Sequence, residues 1–218
     1  MLPDWTIEDE CAADAYGQIC GIDEAGRGPW AGPVVAAAVI LDRAALPDGI
    51  DDSKRLNPAT RTRLFDEIMA SARVGIGIGT VTEIERLNIV HANDLAMARA
   101  LAALGPPPSM VLVDGKWRPK TIAIPMRTVI GGDALSLSIA AASIIAKVTR
   151  DRIMQRLDHE CPGYGWQSNV GYGTVEHRQA LMRLGPTRHH RRRWAPVAKV
   201  LETMTAAKES HQDSSLTN

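Results

Sequence analysis

Three short apolar runs in the first part of the chain predict β-strands. Residues 18–23 (QICGID), 34–41 (VVAAAVIL) and 74–81 (VGIGIGTV) have strand length, and the first run ends in an acid. A loop rich in glycine and proline joins the first two runs, which indicates a hairpin with a long connection. The glycines of the third run indicate a bulge or a close approach to another backbone.

Capping residues predict where the neighbouring helices begin. Asn57, followed by proline, is typical of a helix start. Thr82 precedes Glu85 by three residues, which predicts a capping box. The Ala-, Leu- and Met-rich residues 91–104 predict a helix that a glycine and three prolines end.

The second half of the chain continues to alternate strands and helices. The predicted order is a strand at 110–113, a strand at 121–130 broken by proline, a helix at 135–160, a loop at 161–173, a short helix capped by Thr174 and a helix at 195–207. Strands alternating with helices after an initial strand cluster predict an α/β fold with one main sheet.

Composition limits the class of protein. The 218 residues, 45% of them hydrophobic, are enough for one domain or one domain with a small appendage. A net charge of zero is mild evidence against a nucleic-acid-binding protein, although local patches matter more than the total. The three cysteines lack C-x-x-C spacing, so neither a disulfide framework nor a zinc site is indicated. No signal peptide or membrane-spanning run is evident, and we expect a cytoplasmic protein.

Carboxylates at predicted strand ends are the strongest chemical signal. Asp23 and Glu24 end the first strand, and Asp114 ends the strand at 110–113. A salt bridge with Arg27, a helix cap or simple exposure are alternative explanations for the first pair. Because strand ends converge at one edge of an α/β sheet, we expect a hard-oxygen site for Mg²⁺ or Mn²⁺. Asp133 is a candidate fourth ligand, or a plain helix N-cap.

Several other residues are candidates for binding phosphate. Gly26, Arg27 and Gly28 follow the acids directly and favour an anion-binding loop, although such a tripeptide alone more often marks a turn. The further candidates, each equally explained as a solvated residue, are Ser53, Lys54, Ser143, Lys147 and the basic run 188–193. Aromatic residues at 164, 166 and 172 either stack on a base or sugar or pack in the core.

Seven segments together resemble the bacterial ribonuclease HII family. They are GIDEAGRGPWAGPVVAAAVIL, DDSKRLNPATR, ERLNIVHAN, VLVDGK, GGDALSLSIAAASIIAKVTRDR, GYGTVEH and GPTRHHRRRWAPV, in the family's order across residues 21–197. The first and fifth segments are highly specific. The resemblance implies a ribonuclease H-like fold, with a central mixed five-stranded sheet flanked by helices and a helical C-terminal extension.

The resemblance also implies an activity. The expected enzyme is an endonuclease that cuts the RNA strand of RNA–DNA hybrids, and cuts 5′ of single ribonucleotides in duplex DNA, during replication and ribonucleotide excision repair. It would hydrolyse the phosphodiester with two metal ions, leaving a 3′-hydroxyl and a 5′-phosphate. The family's metal-binding acids match Asp23, Glu24, Asp114 and Asp133. Its ribose-recognising loop matches residues 26–28, and its junction tyrosine matches Tyr172.

The resemblance divides the chain into four parts. These are an N-terminal segment at 1–16, a catalytic core at 17–160, a C-terminal extension at 161–207 that completes the substrate groove, and a disordered tail at 208–218. Arg191 in the extension is a candidate substrate contact. We expect a monomer, with a replication or repair partner at the tail as a further possibility, although the tail shows no clear motif for one.

Two departures from the family pattern concern the substrate or the C-terminal packing. Val170 stands where the family often has a basic residue, and Arg193-Trp194 stands where many members have Ser-Phe. Neither departure touches the carboxylates. Rival hypotheses are a DNA-directed nuclease on the same fold and a non-catalytic nucleic-acid-binding protein. A requirement for a ribonucleotide separates the first from our prediction, and metal-independent binding without turnover would favour the second.

Overall fold

The computed structural model describes the backbone of residues 2–14 and 17–215 and the side chains of residues 2–12 and 17–206. The strands are β1 (Ile19–Ala25), β2 (Val34–Ile40), β3 (Arg73–Gly79), β4 (Met110–Asp114) and β5 (Met126–Val129). The helices are α1 (Thr6–Asp14), α2 (Pro58–Ser71), α3 (Val81–Ala103), α4 (Leu137–Glu160), α5 (Trp166–Asn169), α6 (Val175–Leu184) and α7 (Ala195–Ser215). Two 3₁₀ turns lie at Arg43–Ala45 and Gly132–Ala134.

The five strands form one mixed sheet in the order β3-β2-β1-β4-β5, which confirms the predicted sheet. The hairpin of β1 and β2 is antiparallel, as is the pair of β2 and β3. Strand β4 is parallel to both β1 and β5. Because β1 and β4 run in the same direction with Ile22 opposite Val113, their acidic carboxyl ends reach the same edge of the sheet.

Helices cover both faces of the sheet, and the side chains of β2 show this arrangement. Ala36 and Ala38 pack in a core cluster with Ala96 of α3, and Ala37 packs in a second cluster with Ile144 of α4. All seven residues of β2 are buried, as expected for a strand enclosed on both sides. Because successive residues of a strand face opposite sides of the sheet, neighbouring residues of β1 also face different helices.

The glycines of β3 let helix α3 lie directly on the sheet. A Cβ atom placed on Gly77 would stand 2.0 Å from the Ala96 carbonyl oxygen, and one on Gly75 would stand 2.0 Å from the Ala100 carbonyl oxygen. Of the two alternatives predicted for these glycines, close backbone approach is therefore confirmed, since any side chain there would push the helix away from the strand.

Helix α3 starts two residues earlier than predicted. Thr80, not Thr82, is its N-cap, and the capping box uses Glu83. Glu85 is not part of the capping box, and its carboxylate instead accepts the backbone N–H of Arg193 at 3.2 Å. The helix is interrupted at Asn88 (φ 67°, ψ 169°), whose side chain accepts the Val90 N–H at 2.9 Å and so starts the helical chain again.

The segment around the predicted strand at 121–130 is only partly extended. The strand begins at Met126, after Pro125. Thr121 instead donates its hydroxyl to the Asp94 carbonyl at 3.0 Å, which ties this segment to α3. Helix α4 is capped by Ser136, so the alternative of Asp133 as a plain N-cap is wrong.

The N-terminal helix packs against the start of α4, and the C-terminal helix is longer than predicted. Glu8 of α1 is buried and accepts hydrogen bonds from the Ser136 hydroxyl at 2.6 Å and from the Ser138 N–H at 2.9 Å, at the start of α4. Helix α7 runs on to Ser215 instead of ending near residue 207, and positions 216–218 of the expected tail lie outside the described residues.

None of the described helices has the length and apolar character needed to cross a membrane.

Candidate metal centre and substrate cleft

Three carboxylates meet at the edge of the sheet where β1 and β4 end. One oxygen atom from each of Asp23, Asp114 and Asp133 lies within 4.8 Å of the others. Asp133 belongs to the 3₁₀ turn before α4, and that turn is fastened to β4 because Asp114 accepts the Gly132 N–H at 2.7 Å. The parallel pairing of β1 with β4 therefore brings together acids that are far apart in the sequence.

These acids interact unfavourably as long as they are charged. Burial raises the pKa of Asp23 well above its ordinary value, and the charges of Glu24 and Asp114 raise it further. Burial, followed by the charge of Asp133, raises the pKa of Asp114. A cluster of hard oxygen donors with this excess of negative charge suits a divalent cation such as Mg²⁺ or Mn²⁺. The donor set therefore fits the expected metal.

Glu24 does not belong to this cluster of three. It points to the α3 side of the sheet, since it follows Asp23 on the same strand, and it accepts a hydrogen bond from Arg27 at 3.1 Å. Burial raises the pKa of Glu24, and the charge of Arg27 and a hydrogen bond from Asn93 of α3 oppose that rise. The salt bridge considered from the sequence is present, and a metal-binding role for Glu24 stays a prediction.

Lys54 reaches the carboxylate cluster from the loop before α2. Its ammonium lies 2.6 Å from Oδ2 of Asp133 and 3.5 Å from Oδ1 of Asp52. Burial lowers the pKa of Lys54, but the hydrogen bond to Asp133 and the nearby acidic charges outweigh it and raise the pKa overall. Lys54 therefore supplies part of the positive charge that the cluster requires.

A cleft of about 290 Å³ opens beside Asp23 and contains most of the predicted substrate contacts. It is lined by Asp23, Glu24, Ala25, Gly26, Arg27, Gly28, Ser53, Lys54, Ser143, Lys147, Arg150 and Tyr172. Ser143 and Lys147 contact other protein groups: the Ser143 hydroxyl accepts the Ser53 N–H at 3.2 Å, and the Lys147 ammonium lies 2.8 Å from Asp151. Ala25 and Arg150 are members of this lining that were not predicted from the sequence.

Arg191 does not reach the cleft, and its prediction as a substrate contact is wrong. Its side chain is fully buried and donates to the carbonyl oxygens of Arg27 at 2.8 Å and of Gly32 at 3.0 Å, and also to that of Gly26. Every arginine of a basic run looks equally available in a sequence, because nothing in the run itself indicates burial.

The rest of the basic run is also not one solvent-facing patch. His190 is buried, Arg188 pairs with Glu160 at 3.1 Å, and Arg193 donates to the Glu85 carbonyl at 2.9 Å. Arg192, by contrast, is exposed. The segment mainly fastens the C-terminal extension to the core.

The two departures from the family pattern have structural roles. Val170 adopts a left-handed backbone conformation (φ 44°), and its carbonyl accepts a hydrogen bond from Arg150 at 3.0 Å. Arg193 holds the start of α3 through Glu85, and Trp194 packs against the apolar cluster of the extension. Arg193 and Trp194 therefore attach the extension to the core through their side chains, whereas the Val170 bond is made by the backbone and is available to any residue at that position.

The three aromatic residues of the loop at 161–173 have different environments. Tyr164 and Trp166 are buried, and the Tyr164 hydroxyl donates to the Gly185 carbonyl at 2.6 Å. Tyr172 is 46% exposed and lies in the cleft lining. Core packing therefore accounts for the first two residues, and Tyr172 alone remains available for stacking.

A pair of buried histidines, which were not predicted from the sequence, holds the backbone of Tyr172 by a hydrogen bond. His177 donates from Nδ1 to the Tyr172 carbonyl at 2.9 Å, and its Nε2 lies 3.1 Å from Nε2 of His190. His190 in turn accepts the Thr187 N–H at its Nδ1 atom at 3.0 Å. These partners require both rings to be neutral, with the proton of His177 on Nδ1 and that of His190 on Nε2.

We expect His190 to make the protein sensitive to acid. Burial, followed by the neighbouring histidines, lowers the pKa of His190 from 6.5 to about 3. A lowered histidine pKa gives stability that is present above the unfolded value and is lost as pH falls from about 6.5 towards 3. Between pH 7.5 and 5 this group alone should remove about 2 kcal/mol from the free energy of unfolding.

Urea unfolding of wild type and His190→Asn at the two pH values measures this contribution. The wild type should lose more stability on acidification than the variant does. Identical pH dependence in the two proteins would mean that His190 is protonated equally easily in the folded and unfolded states.

Comparison with known proteins agrees with this geometry. A family model described as Ribonuclease HII matches residues 20–197. A ribonuclease HII of Cereibacter sphaeroides is 54% identical over 199 residues, covering 91% of this chain and 94% of the relative. The ribonuclease H2 structure from Pyrococcus horikoshii superposes with a TM-score of 0.71 at 27% identity, covering 85% of this chain and 98% of that one. An Archaeoglobus fulgidus ribonuclease HII, solved in a complex with PCNA, also gives a TM-score of 0.71 at 27% identity, covering 81% of this chain and 95% of that one. The chain thus belongs to the ribonuclease HII family, whose members are endonucleases of the ribonuclease H type.

Proposed function

We propose that this endonuclease hydrolyses the RNA strand of RNA–DNA hybrids and cuts on the 5′ side of single ribonucleotides embedded in duplex DNA. The products would be a 3′-hydroxyl and a 5′-phosphate. One observation carries the proposal: the cluster of Asp23, Asp114 and Asp133 lies beside a cleft that also contains the G-R-G loop and Tyr172. The cleft thus combines a site for cations with groups suited to a sugar and a phosphate.

Asp23, Asp114 and Asp133 are the residues proposed to hold Mg²⁺ or Mn²⁺, with Glu24 completing the set. Such ions, when bound in pairs, polarise the scissile phosphate, lower the pKa of water and stabilise the leaving oxygen. The protein keeps its acids close together through the sheet pairing and through the hydrogen bond from Gly132 to Asp114. It thereby provides a rigid set of oxygen ligands before any substrate arrives.

The cationic side chains around the cleft are proposed to attract and orient the phosphate backbone. Arg27 is half exposed, and Lys54 and Lys147 line the same cleft. Each of them is paired with an acid of the protein: Arg27 with Glu24, Lys54 with Asp133 and Lys147 with Asp151. These cations would exchange part of that pairing for the substrate's phosphates.

The narrow gap between Gly28 and Tyr172 is proposed to bind the ribose and to distinguish it from deoxyribose. A Cβ atom placed on Gly28 would stand 3.6 Å from Cε1 of the Tyr172 ring, so the loop backbone faces the ring closely. A sugar held against the ring would bring its 2′-hydroxyl to the backbone of the G-R-G loop. A 2′-hydroxyl contact at one position is how proteins distinguish RNA from DNA.

The test is cleavage of a labelled DNA duplex that carries one ribonucleotide, with Mg²⁺, Mn²⁺ or EDTA, beside an all-DNA duplex of the same sequence. We expect metal-dependent cutting of the ribonucleotide duplex alone, 5′ to the ribose. Equal cutting of both duplexes would favour a DNA-directed nuclease. Binding without cutting in either metal would favour a non-catalytic nucleic-acid-binding protein.

Replacing Tyr172 by Ala should reduce cleavage at a lone ribonucleotide more than it reduces binding of the duplex. The ring holds the sugar in position for reaction, whereas the duplex as a whole is held largely by phosphate contacts. We expect cleavage to fall about 10- to 100-fold and the dissociation constant to change only a few-fold. Val175→Ala, at a more exposed position just beyond the loop, serves as the control. Equal losses in cleavage and binding would contradict this role.

We further propose that the protein acts as a monomer in the cytoplasm and contacts a replication or repair partner through its C-terminal segment. The Archaeoglobus fulgidus relative, which was solved with PCNA, supports the existence of such a partner. A chain shortened after residue 206 should cut the ribonucleotide duplex normally and lose that association in a pull-down experiment.

A further inference from the structure

Two buried arginines lie directly beneath the substrate cleft. Arg150 of α4 is 1% exposed, and Arg191, in the segment before α7, is 0% exposed. Within the described part of the chain neither forms a salt bridge with a carboxylate. Burying a guanidinium without an acidic partner costs considerable free energy unless other groups satisfy its N–H donors. Their hydrogen bonds show what this placement achieves.

All the hydrogen-bond partners of these side chains are backbone carbonyls. Arg150 donates to the oxygens of Ala31 at 3.1 Å, Pro33 at 3.0 Å and Val170 at 3.0 Å. Arg191 donates to the carbonyls of residues 26, 27, 32 and 33. The carbonyls at both ends of the loop that follows β1 are thus drawn inward, away from the cleft.

This arrangement leaves the N–H groups of the same loop available. No acceptor within the described residues takes a hydrogen bond from the backbone N–H of Arg27 or Gly28, and both residues line the cleft. When carbonyls are held on one side of a short loop, successive N–H groups face the other side and favour an anion or a hydroxyl oxygen. The fork of a guanidinium suits this task, because it can hold several carbonyls at fixed positions.

Arg150 also connects this loop with the loop that carries Tyr172. Its bond to the Val170 carbonyl fixes the residue two positions before Tyr172. The Trp30 N–H adds a second link by donating to the Gly171 carbonyl at 2.8 Å. Arg150 and this backbone bond together set the distance across the gap between Gly28 and Tyr172, in which the proposed ribose recognition takes place.

We propose that Arg150 and Arg191 are positioning residues for ribonucleotide recognition. Both hold the G-R-G loop with its N–H groups facing the substrate, and Arg150 also fixes the separation of this loop from the Tyr172 loop. This inference rests on the proposed function. The two arginines act through the loops that they hold. Because the Arg150 guanidinium is bonded to carbonyls of both loops, a change in its length or shape should alter the gap.

The test is Arg150→Lys, with Arg152→Lys as a matched control. Lysine keeps the positive charge but cannot reach three separate carbonyls as the fork does. Arg152 lies on the same helix, is partly exposed and faces Phe65 and Asp66. We expect Arg150→Lys to lower kcat for a single-ribonucleotide duplex about 10- to 100-fold, with a smaller change in KM. Arg152→Lys should behave as wild type.

Two further readouts separate positioning from a general structural loss. The affinity for Mn²⁺, measured by calorimetry, should be unchanged in Arg150→Lys, because the three carboxylates lie on other elements. Wild-type cleavage kinetics in the variant would overturn the proposal, as would a parallel loss of Mn²⁺ binding. If the wild-type protein cuts DNA without a ribonucleotide, the proposed function fails. The positioning role of the arginines is then tested only by the NMR measurement described next.

A measurement on the wild-type protein covers the case in which Arg150→Lys does not fold. In EDTA, a duplex with one ribonucleotide should shift the NMR amide signals of Arg27 and Gly28 more than an all-DNA duplex of the same sequence does. The Nε–H of Arg150 should exchange slowly with solvent, because it is bonded to Pro33 inside the protein. Equal amide shifts with the two duplexes, or rapid exchange at Arg150, would overturn the proposal.

Discussion

Replacing Asp114 by Asn should reduce metal-dependent cleavage by about 10²- to 10³-fold or more while the fold stays intact. An asparagine oxygen can still accept the Gly132 N–H that Asp114 accepts at 2.7 Å, so the 3₁₀ turn and Asp133 keep their positions. The substitution removes one negative charge from the cluster of three. The loss of activity would therefore report on cation binding, with little contribution from local rearrangement.

The same substitution should stabilise the protein when no metal is present. Burial and the charge of Asp133 raise the pKa of Asp114, which means that its ionised form is unfavourable in the folded protein. Asp66→Asn, on the exposed side of α2, is the control and should change neither property. Full Mn²⁺-dependent activity in Asp114→Asn would remove Asp114 from the metal site.

Adding Mn²⁺ or Mg²⁺ should raise the melting temperature of the wild-type protein, and EDTA should reverse the change. A ligand at about 100 times its dissociation constant adds about 2.7 kcal/mol to the free energy of unfolding. For a protein of this size, that corresponds to a rise of roughly 5–10 °C. The physical reason is that a cation relieves the repulsion among Asp23, Asp114 and Asp133.

The effect of pH on this stabilisation follows from the raised pKa values of Asp23, Glu24 and Asp114. A carboxyl whose folded pKa is raised destabilises the metal-free protein when ionised, and this cost disappears as pH falls through the folded value. Protons and cations compete for the same oxygens, so the rise in melting temperature should be smaller at pH 5 than at pH 8. Thermal scans with and without Mn²⁺ measure it, and Asp23→Asn serves as the comparison. An undiminished rise in Asp23→Asn would place the cation elsewhere.

The sheet and the acidic cluster could be predicted because local signals were consistent with each other. The strand ending at Asp23 is apolar and bounded by a glycine-rich turn, and the strand ending at Asp114 has the same form. Convergence of strand ends then placed two acids together without further information. The separation of Glu24 from that cluster also follows from strand alternation, and its match to a metal-binding acid of the family stays a prediction.

The burial of individual charged side chains was the property that could not be predicted from the sequence. Arg188 and Arg191 belong to the same basic run, yet one is 77% exposed on its side chain and the other is fully buried. The difference depends on contacts with residues 26–33, which are more than 150 positions away in the chain. Tertiary contacts of this length leave no periodic signal in a local window.

The helix start at Thr80 shows a second kind of limit. Both Thr80 and Thr82 precede an acid by three residues, so the capping pattern fits two positions equally well. Arg99 decides between them, because its guanidinium lies 2.7 Å from Glu83 and helps to hold that acid at the helix start. A neighbour on the following helical segment thus selected the register.

The chain order of Arg191 and the loop that it fastens has a consequence for protein synthesis. Gly26 and Arg191 are 165 positions apart, and at about 5–20 residues per second the ribosome needs roughly 8–33 s to pass from one to the other. During that interval the G-R-G loop exists without the arginine that draws its carbonyls inward. During this time the nascent chain already contains the acidic residues of the metal site, but the G-R-G loop is not yet held by Arg191. We therefore expect the substrate cleft to form only after the last segment has been synthesised, which limits cleavage of the protein's own messenger RNA.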